Sequence, residues 1–337
     1  KMGFSADWYQ RDTKGMLQNT SVPSTFGAAG PKINAGNFSN KGIELSLDIN
    51  YPVSNDLNLY STLTFADNKT KFTKWNNPSG LIYQNGNGYY EGQTFGEIWG
   101  FETEGFFTSA DDVKNSPSQV ALQNGNFVYG EGDIKYKDLN GDGVISTGKT
   151  SINDHGDLKV IGNTQPRYQY GIRFGGTFKG FDMDVFMQGV GQRSYWGLGN
   201  MIIPAYQGSD IFYENQLDYW TPENQNAFYP NPYIGHNATK ISNFPASGNN
   251  FYPQTKYLLN LSYLRLKNVT FGYSLSSQFT KKIGVQKLRF YVSGQNLATI
   301  SNINAPIDPE VTDGESNFTG RTYPFTKMYS FGVNLTL

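Results

Sequence analysis

The stretch that decides the fold runs from Tyr168 to Gln188 and reads YQYGIRFGGTFKGFDMDVFMQ. Within it, Lys179–Gly180 is a two-residue connection of the kind that joins adjacent antiparallel strands. Residues that flank such a turn share a face, so we expect Phe178 to lie opposite Phe181. The predicted apolar face consists of Tyr170, Ile172, Phe174, Phe178, Phe181, Met183, Val185 and Met187, and the predicted polar face of Gln169, Arg173, Asp182, Asp184 and Gln188.

The same period-two alternation recurs along the chain and predicts an all-β protein. From Gly42 to Tyr51 one face is apolar, and the segment from Leu57 to Phe65 repeats the pattern after a short turn. The last residues, Tyr329 to Leu337, alternate in the same way. A soluble sandwich and a transmembrane barrel both alternate, so periodicity alone leaves the two architectures open.

The lengths of the connections favour a barrel. Short connections at Pro52–Asp56 and Lys179–Gly180 alternate with long ones near 11–38, 108–166, 192–261 and 300–325. Soluble domains rarely carry several structureless loops of that size, whereas outer-membrane barrels have short periplasmic turns and long extracellular loops. We therefore predict a transmembrane antiparallel β-barrel segment of about ten strands. The expected strands are 1–10, 39–51, 57–69, 83–95, 97–107, 167–178, 181–191, 262–274, 286–297 and 326–337.

One predicted strand breaks the alternation. Leu264 and Leu266 are in one phase, whereas Val269 and Phe271 are in the other. A β-bulge near Lys267–Asn268 would restore a single apolar face. The alternative is that both faces of this strand are partly buried, for example against a plug.

Composition excludes several classes of protein. Among 337 residues, 27 Lys and Arg balance 28 Asp and Glu, so the net charge of −1 provides no field for holding nucleic acid. The absence of Cys excludes disulfide frameworks, thiolate zinc sites and cysteine nucleophiles. No apolar run is longer than three residues, so no transmembrane helix is predicted.

Several segments together resemble a known family. They are GDIKYKDLNGDGVIS from Gly132, IGNTQPRYQYGI from Ile161, SYLRLKNVTFGYSLS from Ser262, LRFYVSGQNLATIS from Leu288 and the terminal YSFGVNLTL. In this order they resemble the C-terminal half of the SusC/RagA-like TonB-dependent outer-membrane transporters of Bacteroidetes. Motifs in series over most of the chain are a more specific signal than any one of them.

The resemblance implies a 22-stranded barrel in the outer-membrane lipid, occluded by an N-terminal plug. It also implies import of oligosaccharides or peptides beneath a SusD-like lipoprotein lid, powered by TonB–ExbB–ExbD. Neither plug nor TonB box is found in this sequence, which starts at Lys1, so residues 1–337 are expected to be the C-terminal part of the barrel of a longer protein. The choice between glycan and peptide, and the oligomeric state, stay open.

The sequence DLNGDGVI, which starts at Asp138, resembles the beginning of a calcium loop. It has oxygen ligands at positions 1, 3 and 5 and a glycine, Gly143, at position 6, but position 12 is Lys149 instead of a bidentate Glu. The ligands of a structural Ca²⁺, the only cofactor we consider, would be Asp138, Asn140, Asp142, the carbonyl of Val144, and Asp154 or Asp157. The alternative is an Asn/Asp/Gly turn held by its own hydrogen bonds.

Aromatic residues in the long loops are candidates for contact with substrate or lid, because flat rings beside amide side chains suit both sugars and peptides. The candidates are Trp75, Tyr83, Trp196, Tyr206, Tyr229 and Tyr233. The alternative is that these rings pack the loops together. We expect lid contact in the longest loop, Trp196–Tyr257. Trp8, Tyr51 and Tyr168 are instead typical of the aromatic belts at membrane interfaces.

No residue pattern predicts catalysis. His155 and His236 lie far apart and lack metal-ligand spacing, and no pair of carboxylates stands out by its spacing. A secreted glycan-active enzyme is therefore not expected. The remaining alternative to an importer is a surface adhesin or glycan-binding β-protein with a calcium-stabilised loop.

Overall fold

The computed structural model describes residues 1–19, 25, 27, 30–82, 89–206, 212–232, 248–310 and 325–337. The two short α-helices are α1 (Ala110–Asn115) and α2 (Ser277–Lys282), and 3-10 turns occur at Val120–Leu122, Glu214–Gln216 and Asn249–Phe251. The strands are β1 (Met2–Asn19), β2 (Lys32–Pro52), β3 (Leu57–Lys74), β4 (Glu97–Gly100), β5 (Thr103–Phe106), β6 (Ile134–Tyr136), β7 (Lys159–Asn163), β8 (Arg167–Phe178), β9 (Phe181–Gln192), β10 (Ser194–Tyr195), β11 (Leu259–Asn260), β12 (Tyr263–Ser274), β13 (Lys287–Ser301) and β14 (Met328–Thr336). No helix among the described residues is long and apolar enough to cross a bilayer.

Eight strands form one antiparallel sheet in the order β1-β2-β3-β8-β9-β12-β13-β14. The hairpin predicted at Lys179–Gly180 is confirmed, since Phe178 pairs with Phe181. Both turn residues have positive φ, 47° at Lys179 and 89° at Gly180. Such a turn matches the right-handed twist of the two strands. Local sequence therefore sets the register at the centre of the sheet.

The predicted bulge in β12 is also present. The register shifts between Leu266 and Asn268 in the pairings of β12 with both β9 and β13. A bulge adds one residue to one strand and reverses the side-chain phase beyond it. Leu266 and Val269 consequently point to the same face of the sheet.

One face of the eight-stranded sheet carries rows of apolar side chains, many of which remain exposed. One ladder row joins Tyr51, Leu59, Gly176, Met183, Phe271, Val292 and Phe331. The side chains of Trp8 and Phe331 are 71% and 72% exposed, respectively. A soluble protein would bury such a large apolar surface, whereas a membrane barrel turns it to lipid. We call this face the lipid face and the opposite one the lumenal face.

The connections differ in size at the two ends of the sheet. One end of the sheet carries the two shortest connections, 53–56 and 179–180, together with 275–286. The other end carries 20–31, which is as long as 275–286, and the three much longer connections 75–166, 193–262 and 302–327. This parity agrees with the expected arrangement of periplasmic turns and extracellular loops.

Among the described residues the sheet has eight strands, where about ten were predicted. No strand of this sheet lies in the described part of 83–107, so the expected strand pair 83–95 and 97–107 is wrong. Strands β4 and β5 occur there instead, paired with β7 and β6 inside the 75–166 connection. A short run of alternating apolar and polar residues has the same sequence pattern in a barrel strand and in a strand of a folded loop. The described strands do not close on themselves, because β1 and β14 each pair on one side only.

The described residues of the two longest connections, 75–166 and 193–262, pack into one unit, which we call the loop body. Its centre is fully buried at Phe101, Ile145, Leu158 and Leu261, each 0% exposed. The remaining buried apolar residues of the cluster are Ile82, Trp99, Phe107, Leu122, Phe127, Tyr129, Ile134, Tyr136, Ile202, Ile203, Tyr229, Phe251, Tyr252, Tyr257 and Leu259. The loops are thus a folded body with a hydrophobic core of its own.

Candidate lumenal wall and extracellular loop body

The lumenal face carries charges that are paired across strands. Asp184 of β9 accepts a hydrogen bond from the Tyr60 hydroxyl at 2.7 Å and another from Arg173 Nε at 2.8 Å. The three side chains come from three neighbouring strands, β3, β8 and β9. The Arg–carboxylate bond is charge-assisted, which makes it stronger than a neutral hydrogen bond.

A second ion pair spans the next strands. Arg289 of β13 donates through Nε to Asp182 Oδ1 of β9 at 2.8 Å, passing over β12. Gly272 of β12 makes this reach possible, because a Cβ there would lie 2.5 Å from Arg289 Nη2. The Arg289 guanidinium also lies 5.0 Å from the Tyr291 ring. The wall therefore presents ordered, hydrogen-bonding charge to the barrel interior.

Buried asparagines join the two halves of the loop body. Asn250, 0% exposed, accepts from the Ile134 backbone N–H at 2.9 Å and donates to Asp133 Oδ1 at 2.7 Å. The hydroxyls of Tyr129 and Tyr136 each donate to the Asn249 carbonyl at 2.9 Å. Burial raises the pKa of both phenols well above the usual value, so they remain donors at physiological pH.

A third long connection is tied to the sheet by an ion cluster at the start of β12. Arg265, whose side chain is 2% exposed, pairs with Asp308 at 2.5 Å and with Glu310 at 2.9 Å. Lys267 also contacts Glu310, and the Phe325 ring lies 4.8 Å from the Arg265 guanidinium. These contacts fix the first part of the 302–327 connection against the sheet.

The candidate aromatic residues that the structure describes lie in different packing environments. Trp75 packs against Phe72 and Tyr89, with ring centroids 5.2 and 5.0 Å away. Trp196 and Tyr206 are half-buried against the core of the loop body. Contact of these three with ligand or lid stays a prediction, and Tyr83, Tyr233 and also His236 lie outside the described residues.

Tyr229 packs inside the loop body, as the alternative prediction for the loop aromatic residues described. It is 2% exposed, its ring stacks on Tyr257 at 5.7 Å, and its hydroxyl accepts from Asn215 at 3.3 Å. Burial raises its pKa to about 12. His155 is half-buried, with its ring 5.4 Å from that of Trp99.

The Asp138 turn is held by its own hydrogen bonds. Asp138 accepts from the backbone N–H of Gly141 at 2.6 Å and of Gly143 at 2.8 Å, and the second of these is the first cause of its lowered pKa. Asp157, 0% exposed, accepts from Leu139 at 2.8 Å and from the Ser146 N–H at 2.8 Å.

The remaining predicted ligands lie around this turn. Asn140 accepts from the Asp142 N–H at 2.9 Å, Asp142 accepts from the Val144 N–H at 2.8 Å, and Asp154 lies 3.9 Å from Lys149 Nζ. The described residues contain no group of three or more His, Asp or Glu side chains placed to hold a metal ion. Calcium binding here therefore stays a prediction.

Replacing Asp138 and Asp142 together by Ala is expected to open the 108–166 segment to protease, because the backbone donors at Gly141, Gly143 and Val144 lose their acceptors. An unsatisfied backbone donor costs about 1–3 kcal/mol when it is buried and less in an exposed turn. The measurement is timed digestion of the full-length protein in detergent, with Asp111→Ala as the control.

The same digestion tests calcium. If Ca²⁺ holds the turn, EGTA makes the wild type cleave as fast as the double variant, and added Ca²⁺ restores protection. If wild-type cleavage is equal in EGTA and in Ca²⁺ while the variant is cut faster, the hydrogen bonds alone hold the turn and the calcium prediction is wrong.

Comparison with known proteins gives relatives over nearly the whole chain. TonB-dependent receptor P3 of Formosa agariphila is 27% identical over 99% of this chain, and TonB-dependent receptor P26 of the same organism is 24% identical over 98%. The chain spans about a third of the length of these relatives, 32% of each. No family model matches the chain.

Solved structures share the fold. The structure of the RagAB peptide transporter matches 100% of this chain and 33% of its own, with a TM-score of 0.71 at 21% identity. The RagAB peptide importer in its open-open state matches with a TM-score of 0.70 at 21% identity. The predicted resemblance, the fold class and the outer-membrane localisation are confirmed.

Proposed function

Because this chain resembles TonB-dependent receptors along its length and has the fold of an outer-membrane transporter barrel, we propose that it is part of a SusCD-like importer of oligosaccharides or peptides. This proposal assigns residues 1–337 to the C-terminal part of the barrel. It assigns the plug and the TonB box to a part of the protein outside this chain. Coupling to TonB–ExbB–ExbD would act through that part.

The observation that carries the proposal is the pairing of a lipid face with a lumenal face of ordered charges. Ion pairs such as Asp182–Arg289 and Asp184–Arg173 cross strands on the inside, whereas the outward rows are apolar and exposed. A hydrated barrel interior of this kind suits polar solutes, and both sugars and peptides fit that description. A surface adhesin passes no solute through a barrel, so it would not need ordered charges on a lumenal face.

The test is uptake by cells that carry the full transporter. Deleting its gene is expected to slow depletion of either an oligosaccharide mixture or a peptide mixture from the medium, and deleting TonB should give the same defect. Mass spectrometry of the medium then identifies the substrate class. Unchanged depletion of both mixtures, combined with loss of surface binding in the deletion strain, would favour the adhesin.

A lid over the loop body accounts for exposed apolar side chains in the predicted contact segment. Phe212 is 38%, Leu217 62% and Tyr219 38% exposed, all within Trp196–Tyr257. A few well-packed side chains near the centre of an interface, Tyr among them, commonly dominate its binding energy. A SusD-like lipoprotein seated on this side would cover them.

Leu217→Glu is expected to reduce recovery of the lipoprotein with the transporter by tenfold or more, because a charge would be buried against an apolar partner. Co-purification in mild detergent, quantified by mass spectrometry, measures this. Ile152→Glu, at a residue 38% exposed in the other half of the loop body, is the control. Equal recovery from all three proteins would place the lid contact elsewhere.

A further inference from the structure

The lipid face changes from apolar to basic along β1, β2 and β3. Trp8 and Ile43 pair in the last apolar row, next to Asp67. The two rows beyond it are Gln10–Lys41–Lys69 and Asp12–Ser39–Lys71. The register has no shift over these rows, so the lysines point to the same side as Trp8.

The depth of these lysines follows from strand geometry. The apolar run from Ile43 to Tyr51 matches the roughly 9–11 residues that a tilted strand needs to cross the hydrocarbon core. Each further row on the same face adds two residues, about 6–7 Å along the strand and about 5 Å in height at a tilt near 40°. The polar headgroup layer is about 5–8 Å thick on each side. The first basic row therefore lies within the headgroup layer, about 5 Å beyond the last apolar row, and the second lies just outside that layer, about 10 Å beyond the same row. Both are at the end of the sheet that carries the long loops.

The lysines line a shallow depression of about 610 Å³, which we call the lysine site. Four lysines, Lys14, Lys41, Lys69 and Lys71, border it together with one carboxylate, Asp12. Gln10 already donates to that carboxylate at 3.1 Å. None of the four lysines forms an ion pair within the described ranges of the chain.

The nearest other acid on this face does not neutralise the lysines. Asp67, in the row below, is held by the Arg167 guanidinium through both carboxylate oxygens. Four ammonium groups against one free carboxylate leave an excess of positive charge at the membrane surface. Such an excess attracts multivalent anions, and each lysine near the membrane surface contributes about 1 kcal/mol to that attraction.

We propose that the lysine site binds the phosphate groups of a phosphorylated glycolipid of the outer leaflet. Lys is a point-charge ligand for phosphate and needs no planar geometry. With its phosphates at Lys41 and Lys69, such a lipid would lay its acyl chains along the apolar rows of Ile43 and Leu45 directly below. This binding site serves neither substrate nor lid and is independent of import.

In the experiment, the full transporter is stripped of lipid in detergent and titrated with each of three probes. Native mass spectrometry counts the lipid molecules bound to it. The probes are diphosphoryl lipid A, its dephosphorylated counterpart and inorganic phosphate. We expect the triple variant Lys41→Gln/Lys69→Gln/Lys71→Gln to bind diphosphoryl lipid A about 100-fold more weakly. The reason is that each lysine near the membrane surface contributes roughly a factor of five to the affinity. The control Lys179→Gln/Lys281→Gln/Lys282→Gln removes equal charge at the opposite end of the sheet and should bind as the wild type does.

The three probes distinguish binding of a phosphorylated lipid from binding of any lipid and from binding of free phosphate. Tight binding of the phosphorylated lipid, weak binding of the dephosphorylated lipid and no competition by millimolar inorganic phosphate support the proposal. Equal binding of the two lipids, equal losses in the two triple variants, or displacement of the lipid by inorganic phosphate would each overturn it. Heat-modifiable mobility verifies that both variants are folded, and because no transport is measured, the result does not depend on the proposed import.

Discussion

Leu47→Arg is expected to prevent most of the chain from reaching its folded, membrane-inserted state. Leu47 lies midway along the apolar run from Ile43 to Tyr51 and pairs with Phe4 and Leu63 in the same outward row. A cation at the bilayer midplane of a barrel costs about 2–4 kcal/mol. This cost corresponds to a loss of about 30-fold to 1,000-fold in the ratio of folded to unfolded protein.

The neighbouring residue provides a matched control. Ser46 lies on the lumenal face, where its hydroxyl is 3.5 Å from Asp48 Oδ2. Ser46→Arg introduces the same charge at the same depth, but on the side that faces the barrel interior. The measurement is the heat-modifiable fraction in isolated outer membranes. If both variants fold to the same extent, the assignment of the two faces is wrong.

Phe101→Ala is expected to destabilise the loop body by about 3–5 kcal/mol, the usual loss when a buried aromatic side chain is removed and leaves a cavity. Phe101 is 0% exposed, and its ring lies 4.9 Å from that of Tyr136 and 5.7 Å from that of Tyr252. Those rings belong to different halves of the loop body. Removing Phe101 therefore loosens the contact between the two longest connections.

Protease added to intact cells measures this effect, because only extracellular segments are accessible. The variant should be cut within 75–166 or 193–262 much faster than the wild type, while the heat-modifiable barrel persists. Val128→Ala is the control, since Val128 is 70% exposed and its truncation leaves no cavity. Equal digestion of Phe101→Ala and wild type would show that the two connections do not depend on a shared core.

The sequence was sufficient for the parts of the fold that depend on local spacing. Alternation assigned Tyr170 and Ile172 to the apolar face, the turn at Lys179–Gly180 set the hairpin register, and the break in phase located the bulge near Asn268. These features hold because a strand places successive side chains on opposite faces wherever it lies. Counting strands from the same signal failed at 83–107, since a short strand in a folded loop alternates as a barrel strand does.

Two features of the candidate sites were not foreseen. Asp182 was predicted only as a residue of the polar face of its hairpin, and Arg289 was not singled out. Nothing in their spacing shows that β12 lies between them or that Gly272 leaves room for the guanidinium. Asn249 and Asn250 looked like ordinary loop residues. A signal was present in the many aromatic residues of the long connections, which are typical of a buried core as well as of a binding surface.

The sequence alone determined which side chains share the apolar face, where the hairpin turns and which family the chain resembles. These properties are set by residues close together in the chain, and a period of two expresses them directly. Only the tertiary structure decided that the loops form a body with its own core, that Tyr229 is buried, and that lysines of three strands meet at the membrane surface. Those contacts join residues far apart in sequence, as Tyr136 and Asn249 show with a separation of 113. No local periodicity records such pairings.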